Sequence, residues 1–176
     1  MHTCCAPCLV YPHEQLLSKG FEVAGFFYNP NIHPFKEYAA RKTALSEFAL
    51  KYDIAVFYPS YNPSEFFQAV NLMEERLERC PICWFERLKK TAVFARENKF
   101  DYFTTTLLVS PYQDQEALNR IGNDISRDEG VKFYYQDFRP GFRQAHNKAK
   151  AEGVYCQNYC GCIYSELERF HKTAKN

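Results

Sequence analysis

The chain has 176 residues, enough for one domain of ordinary size whose core needs no covalent staples. Its 22 Lys and Arg offset 21 Asp and Glu, and the formal charge of +1 excludes the global field of a strongly basic nucleic-acid binder while leaving room for a local patch. Eight cysteines would suggest disulfides in a secreted protein. There is no signal-type apolar stretch at the start and no apolar run of about 18 residues, so the expected compartment is the cytoplasm, where clustered thiols serve metals or redox chemistry.

In chain order, CCAPC places Cys4, Cys5 and Cys8 ahead of the first helix, after an MHT segment too short for an ordinary strand. FEVAGFFY, from Phe21 to Tyr28, is apolar and aromatic between Lys19-Gly20 and Asn29-Pro30 and predicts a buried strand, followed by the loop NPNIHP. Phe35 to Tyr52 repeats Tyr38, Leu45, Phe48 and Tyr52 at helical spacing. A short strand IAVFYP starts at Ile54, and Pro63 to Val70 predicts a helix capped by Asn62. Pro81 to Asn98 predicts a longer helix with Cys80 and Cys83 on its first turn. DYFTTTLL from Asp101 and VKFYYQDF from Val131 are expected strands. Helices are expected over Gln115 to Glu129, with Gly130 as C-cap, over Gly141 to Glu152 and over Cys162 to Lys172. The alternation predicts a single α/β domain over 1–176, three-layered and Rossmann-like, with a mainly parallel sheet and a site outside the carboxyl ends of its strands.

The cysteines form three groups, each at a predicted element boundary: CCAPC, CPIC at Cys80 and Cys83, and CQNYCGC at Cys156, Cys160 and Cys162. A helix N-terminus at CPIC would favour thiolate over thiol. A structural zinc using CPIC leaves thiols over, because zinc takes four ligands from separated pairs. Adjacent Cys4 and Cys5 can instead serve two irons of a cluster, or a cluster and a neighbouring metal.

The stretches HTCCAPC, YNPNIHP, RCPICWFERLKKTA, FTTTLLVSPYQDQE, FYYQDFR and YCGCIYS, in this order, closely resemble the cobalamin-independent epoxyqueuosine reductase family, QueH, and cover the chain from His2 to Ser165. The resemblance implies a HUP-like α/β fold and reduction of the epoxide of epoxyqueuosine to queuosine at the wobble position of tRNA with a GUN anticodon. It also implies a [4Fe–4S] cluster and a second mononuclear iron, without cobalamin. Residue by residue it implies Cys4, Cys5, Cys80 and Cys83 as cluster ligands, Cys8 as a spare ligand, and Cys160 and Cys162 as a redox-active disulfide or as ligands of the second iron. Cys156 departs from the family pattern, which carries a basic residue there, and is treated as a bystander.

Beside the cysteines, Asp137 stands at the end of a predicted strand as a candidate ligand of the second iron, the alternative being an ion pair with Arg139 or Arg143. His33 is a candidate proton donor, the alternative being a surface histidine. Tyr112, Gln113, Asp114, Glu116 and Arg139 are candidates for binding the substrate, the plainer reading being a turn and the first turn of a helix. Arg87, Lys89, Lys90, Arg143, Lys148 and Lys150 are candidates for an RNA phosphate track. Epoxide removal takes two electrons and two protons, and no Gly-rich dinucleotide motif supplies them, so a ferredoxin or flavodoxin-like donor is expected. Two rivals remain. A tRNA-thiolating enzyme of the PP-loop type needs a glycine-rich ATP loop where this chain has CCAPC; a zinc-stabilised RNA-binding module would be colourless.

Overall fold

The computed structural model describes residues 1–173, which contain four short parallel strands and seven helices. β1 (Gly25–Phe26) pairs in parallel with β2 (Val56–Phe57), and β3 (Tyr102–Phe103) pairs in parallel with β4 (Lys132–Phe133). His2 joins the two pairs, bridging Phe26 on one side and Thr105 on the other. Its N–H donates to the Thr104 carbonyl at 2.8 Å and its carbonyl accepts from Thr106 at 2.9 Å, while Thr3 N–H donates to Phe26 at 2.9 Å. The short MHT segment is therefore central, and the lateral order runs β2, β1, His2, β3, β4.

A central position buries the His2 ring completely, and burial lowers its pKa to about 3. The neutral ring is satisfied at both nitrogens: Nε2 lies 3.1 Å from Asn29 Oδ1 and Nδ1 lies 2.9 Å from Thr105 Oγ1. Since Asn29 spends its amide N–H on the Thr3 carbonyl, its oxygen accepts from Nε2, and Nδ1 accepts from the threonine hydroxyl.

The helices are α1 (Ala6–Ser18), α2 (Phe35–Lys51), α3 (Pro63–Ala69), α4 (Arg76–Glu97), α5 (Gln115–Glu129), α6 (Phe142–Ala151) and α7 (Ile163–Thr173). Asn62 caps α3 through a 3.2 Å bond from Ser64 N–H, Asp114 caps α5 through a 2.9 Å bond from Ala117 N–H, and Gly130 closes α5 at φ 70°. α4 packs on α5, and α1 packs on α6 and α2. Three apolar clusters result among the described residues. One gathers Trp84, Leu88, Phe103, Leu108, Leu118 and Ile125, and a second gathers Leu9, Phe27, Ile32, Leu45, Phe48 and Ala145. A small third joins Phe66, Val70, Cys83 and Cys162.

The strands are much shorter than the apolar runs suggested. Phe21 still belongs to the exit of α1, its N–H donating to the Leu16 carbonyl at 3.1 Å, so only the middle of FEVAGFFY pairs. In DYFTTTLL the Thr105 side chain accepts from Leu107 N–H at 3.1 Å and turns the chain into a 3₁₀ segment, Thr106–Val109. VKFYYQDF likewise leaves the ladder after Phe133 and reaches a 3₁₀ turn at Arg139–Gly141. α4 differs in the other direction, starting five residues before Pro81. The missing proline N–H leaves the Leu77 carbonyl without its helical partner, which is tolerated because Leu77 is exposed to water. Cys80 and Cys83 consequently sit inside the helix rather than on its first turn, and the dipole argument for them does not apply.

Candidate metal centre

Cys5 is the N-cap residue of α1, so Cys4 ends the central segment while Cys8 falls in the first turn of the helix, on the same face as Cys5. The three buried Sγ atoms lie within 4.8 Å of one another. Cys4 Sγ is 3.7 Å from Cys5 Sγ and accepts from the Thr106 hydroxyl at 3.4 Å, and Cys4 N–H donates to Thr106 Oγ1 at 3.2 Å. Hydrogen bonds from Cys5 and Cys8 hold the Cys4 thiol well below its ordinary range, whereas burial raises Cys5 and the neighbouring sulfurs raise Cys8.

The second group comes from α4, where Cys80, Cys83 and Arg87 follow one helical face. Burial pushes the Cys83 thiol up to about 12 and also raises Cys80. Arg87 is fully buried; its Nε donates to the Cys83 carbonyl at 3.1 Å, and its Nη2 has no hydrogen-bond partner. Burial opposes its charge, while the sulfurs of Cys83, Cys160, Cys4 and Cys80 favour it, and its pKa is raised. One cation is therefore within electrostatic reach of all three cysteine groups. The expectation that Arg87 joins an RNA phosphate track is overturned by this burial.

The third group is fixed by Arg41, an arginine on the apolar face of α2. Its Nε pairs with Glu37 at 2.7 Å, while Nη1 and Nη2 donate to the carbonyls of Cys160 at 2.9 Å and Tyr159 at 3.0 Å. Gly161 between the two cysteines has φ 139°, and a Cβ there would lie 3.0 Å from Ile32 Cγ1 and 3.3 Å from Arg41 Nη1. Its carbonyl accepts from His33 N–H at 2.8 Å. Cys162 is buried and accepts at Sγ from Ser165 N–H, 3.3 Å away, as a capping side chain of α7; Cys160 is exposed. All eight cysteines are free thiols, with no bond between Cys160 and Cys162.

His33 is buried rather than on the surface, its ring stacked on Phe67 with centroids 4.6 Å apart and neither ring nitrogen bonded. Burial lowers its pKa, so the ring is neutral. Asp137 is half-exposed and engages Arg139 through both oxygens, at 2.8 and 2.6 Å, which holds its carboxyl below the usual range. Tyr112 is exposed, Gln113 Oε1 accepts from Trp84 Nε1 at 3.0 Å, and Asp114 and Glu116 lie at the start of α5. Lys89 and Lys90 are exposed, Arg143 is exposed, and Lys148 pairs with Glu14 at 2.7 Å.

Sequence reasoning missed Arg41 and Gln157. Arg41 was signalled by its register with Tyr38, Leu45 and Phe48, an arginine on an apolar stripe. Gln157, whose Nε2 lies 2.9 Å from Cys5 Sγ, carried no local signal beyond its place in CQNYCGC.

These elements define an α/β protein with a buried, sulfur-only donor group suited to a thiophilic metal or cluster. The sequence profile described as "Epoxyqueuosine reductase QueH" matches residues 1–168. Among curated proteins of that same name, the one from Dehalococcoides mccartyi is 35% identical over 98% of this chain and 94% of its own length. The Thermotoga maritima protein is 37% identical over 99% and 93%, and that of Acinetobacter baylyi 36% over 94% and 78%. The chain belongs to the epoxyqueuosine reductase QueH family, and it is an oxidoreductase. Among the described residues no helix is long and apolar enough to cross a membrane.

Proposed function

We propose that this protein reduces epoxyqueuosine to queuosine at the wobble position of tRNA, the last step of queuosine biosynthesis, in the cytoplasm. The observation that carries the reading is the buried Cys4, Cys5 and Cys8 trio, with Cys83 of the second group and Cys162 of the third gathered in one buried cluster. The lateral order with His2 in the centre supports the Rossmann-like reading of the fold, with the cysteine groups on the carboxyl edge of the strands.

The donor chemistry fits a [4Fe–4S] cluster. Cys4, Cys5, Cys80 and Cys83 would hold it, leaving Cys8 with Cys160 and Cys162 for an adjacent iron. When bound, such a centre supplies electrons singly and an open iron position supplies a Lewis acid for the epoxide oxygen. The buried guanidinium groups of Arg41 and Arg87 offset the negative charge that thiolate ligation brings into the core. Asp137 joins the ligand set only by giving up Arg139. Cys160 and Cys162, free thiols one residue apart, also suit a redox-active dithiol. His33, neutral and unpartnered, is available to donate a hydrogen bond beside the CGC turn. Tyr112, exposed on its loop, offers a ring for base stacking, with Lys89 and Lys90 near phosphates. Electrons come from a ferredoxin or flavodoxin-like donor.

The test is incubation of the reduced, iron-loaded protein with tRNA bearing epoxyqueuosine, followed by mass analysis of the released nucleosides. Loss of one oxygen from the modified base is expected; an unchanged nucleoside with a fully loaded, reduced protein contradicts the reading.

A further inference from the structure

We propose that Gln157 is a positioning residue whose amide reaches from the C-terminal cysteine loop to orient the Cys5 and Cys8 sulfurs and raises the tendency of the metal centre to accept an electron. The inference rests on the iron–sulfur reading above. Gln157 Nε2 lies 2.9 Å from Cys5 Sγ and 3.7 Å from Cys8 Sγ. One amide therefore spans a sulfur assigned to the cluster and a sulfur assigned to the neighbouring iron.

The chemistry of the side chain fits this place. A metal-bound thiolate only accepts, so the amide nitrogen faces the sulfurs and the oxygen faces away. That oxygen is buried and has no partner. An amide present only to pack the loop would have both ends satisfied, since buried polar atoms are rarely left single. A neutral donor also stabilises negative sulfur without adding a charge to a core that already holds Arg41 and Arg87. The neighbouring Cys156 turns elsewhere, donating to the Val154 carbonyl at 3.4 Å.

Hydrogen bonds to cluster sulfur stabilise the more electron-rich, reduced state and so raise the potential. The loop does not depend on Gln157 for its place, because Arg41 independently holds the Tyr159 and Cys160 carbonyls. Loss of the amide should therefore alter the electronics of the centre while leaving the fold intact.

The experiment is a redox titration, followed by spin resonance, of anaerobically loaded wild type, Q157L and Q157E, with iron and sulfide counted in each. Removal of the donor is expected to shift the reduction equilibrium about tenfold toward the oxidised form, about 59 mV for one electron, and the ionised carboxylate of Q157E to shift it further. Unchanged potentials in both loaded variants overturn the proposal. Where Q157L does not take up a cluster, cobalt(II) titration of the metal-free proteins, read from thiolate-to-metal absorption, decides. Weaker cobalt binding with an unchanged thermal midpoint supports the role of Gln157, and wild-type cobalt affinity overturns it. A wild-type protein lacking iron and sulfide would instead strike the iron–sulfur reading, and the cobalt titration would still judge Gln157.

Discussion

Two residues carry opposite kinds of test. Gly161 combines a φ of 139° with a would-be Cβ 3.0 Å from Ile32, so Gly161→Ala should cost about 1–3 kcal/mol in chemical unfolding and should displace Cys160 and Cys162. Turnover should fall with it. His33 is the converse case: two buried ring nitrogens without partners destabilise the fold, each by about 1–3 kcal/mol, and the ring already stacks on Phe67. His33→Phe should therefore unfold at an equal or higher denaturant concentration while reduction of epoxyqueuosine slows at least tenfold. Equal stability with undiminished turnover would make His33 a packing residue. The identities of the cysteines were legible because residue type alone nominates thiols as ligands. The burial of His33 was not, because it depends on Phe66 and Phe67 of α3 folding over a loop that is far away in sequence.

At the scale of elements, α4 presents Cys80, Cys83 and Arg87 on one face and α2 presents Arg41 toward the C-terminal loop. Arg87→Met removes a buried cation that the surrounding sulfurs favour and takes the Nε donor from the Cys83 carbonyl, so the metal-free variant should melt below the wild-type temperature. The same change should reduce iron retained after anaerobic desalting severalfold, since the centre loses a buried counter-charge. Arg41→Met should act elsewhere, releasing the Tyr159 and Cys160 carbonyls and the Glu37 carboxylate, which also accepts from Tyr155. Amide hydrogen exchange over 155–162 should then quicken at least tenfold, with α4 and α5 unaffected. Element existence was readable from periodicity and capping residues, as Asn62, Asp114 and Gly130 illustrate. Element limits were not. Pro81 reads as a helix start because a first-turn proline costs nothing, whereas Glu75, with an extended backbone, begins the helix, its carbonyl accepting from Arg79 N–H at 2.9 Å. The aromatic runs overstated the strands because side-chain burial on both faces extends further than backbone pairing.

The whole molecule joins two parallel strand pairs through three N-terminal residues and uses the turn out of that segment to place its first cysteines. A central segment that short gives no periodicity to read, which is why MHT seemed too brief for a strand while the order of alternating elements still announced α/β. Convergence of the cysteine groups is expected from their positions at element boundaries; among the described residues Cys4, Cys5 and Cys8 come together, and Cys83 shares a buried cluster with Cys162. The near-neutral charge implies that tRNA is held by a few local contacts, so salt should weaken binding only gently. The most direct measurement of the central claim is the metal and acid-labile sulfide content of protein purified without oxygen. A brown protein with iron and sulfide in cluster proportion and a spin-resonance signal on reduction is the expected result. Colourless protein holding zinc without sulfide would contradict it.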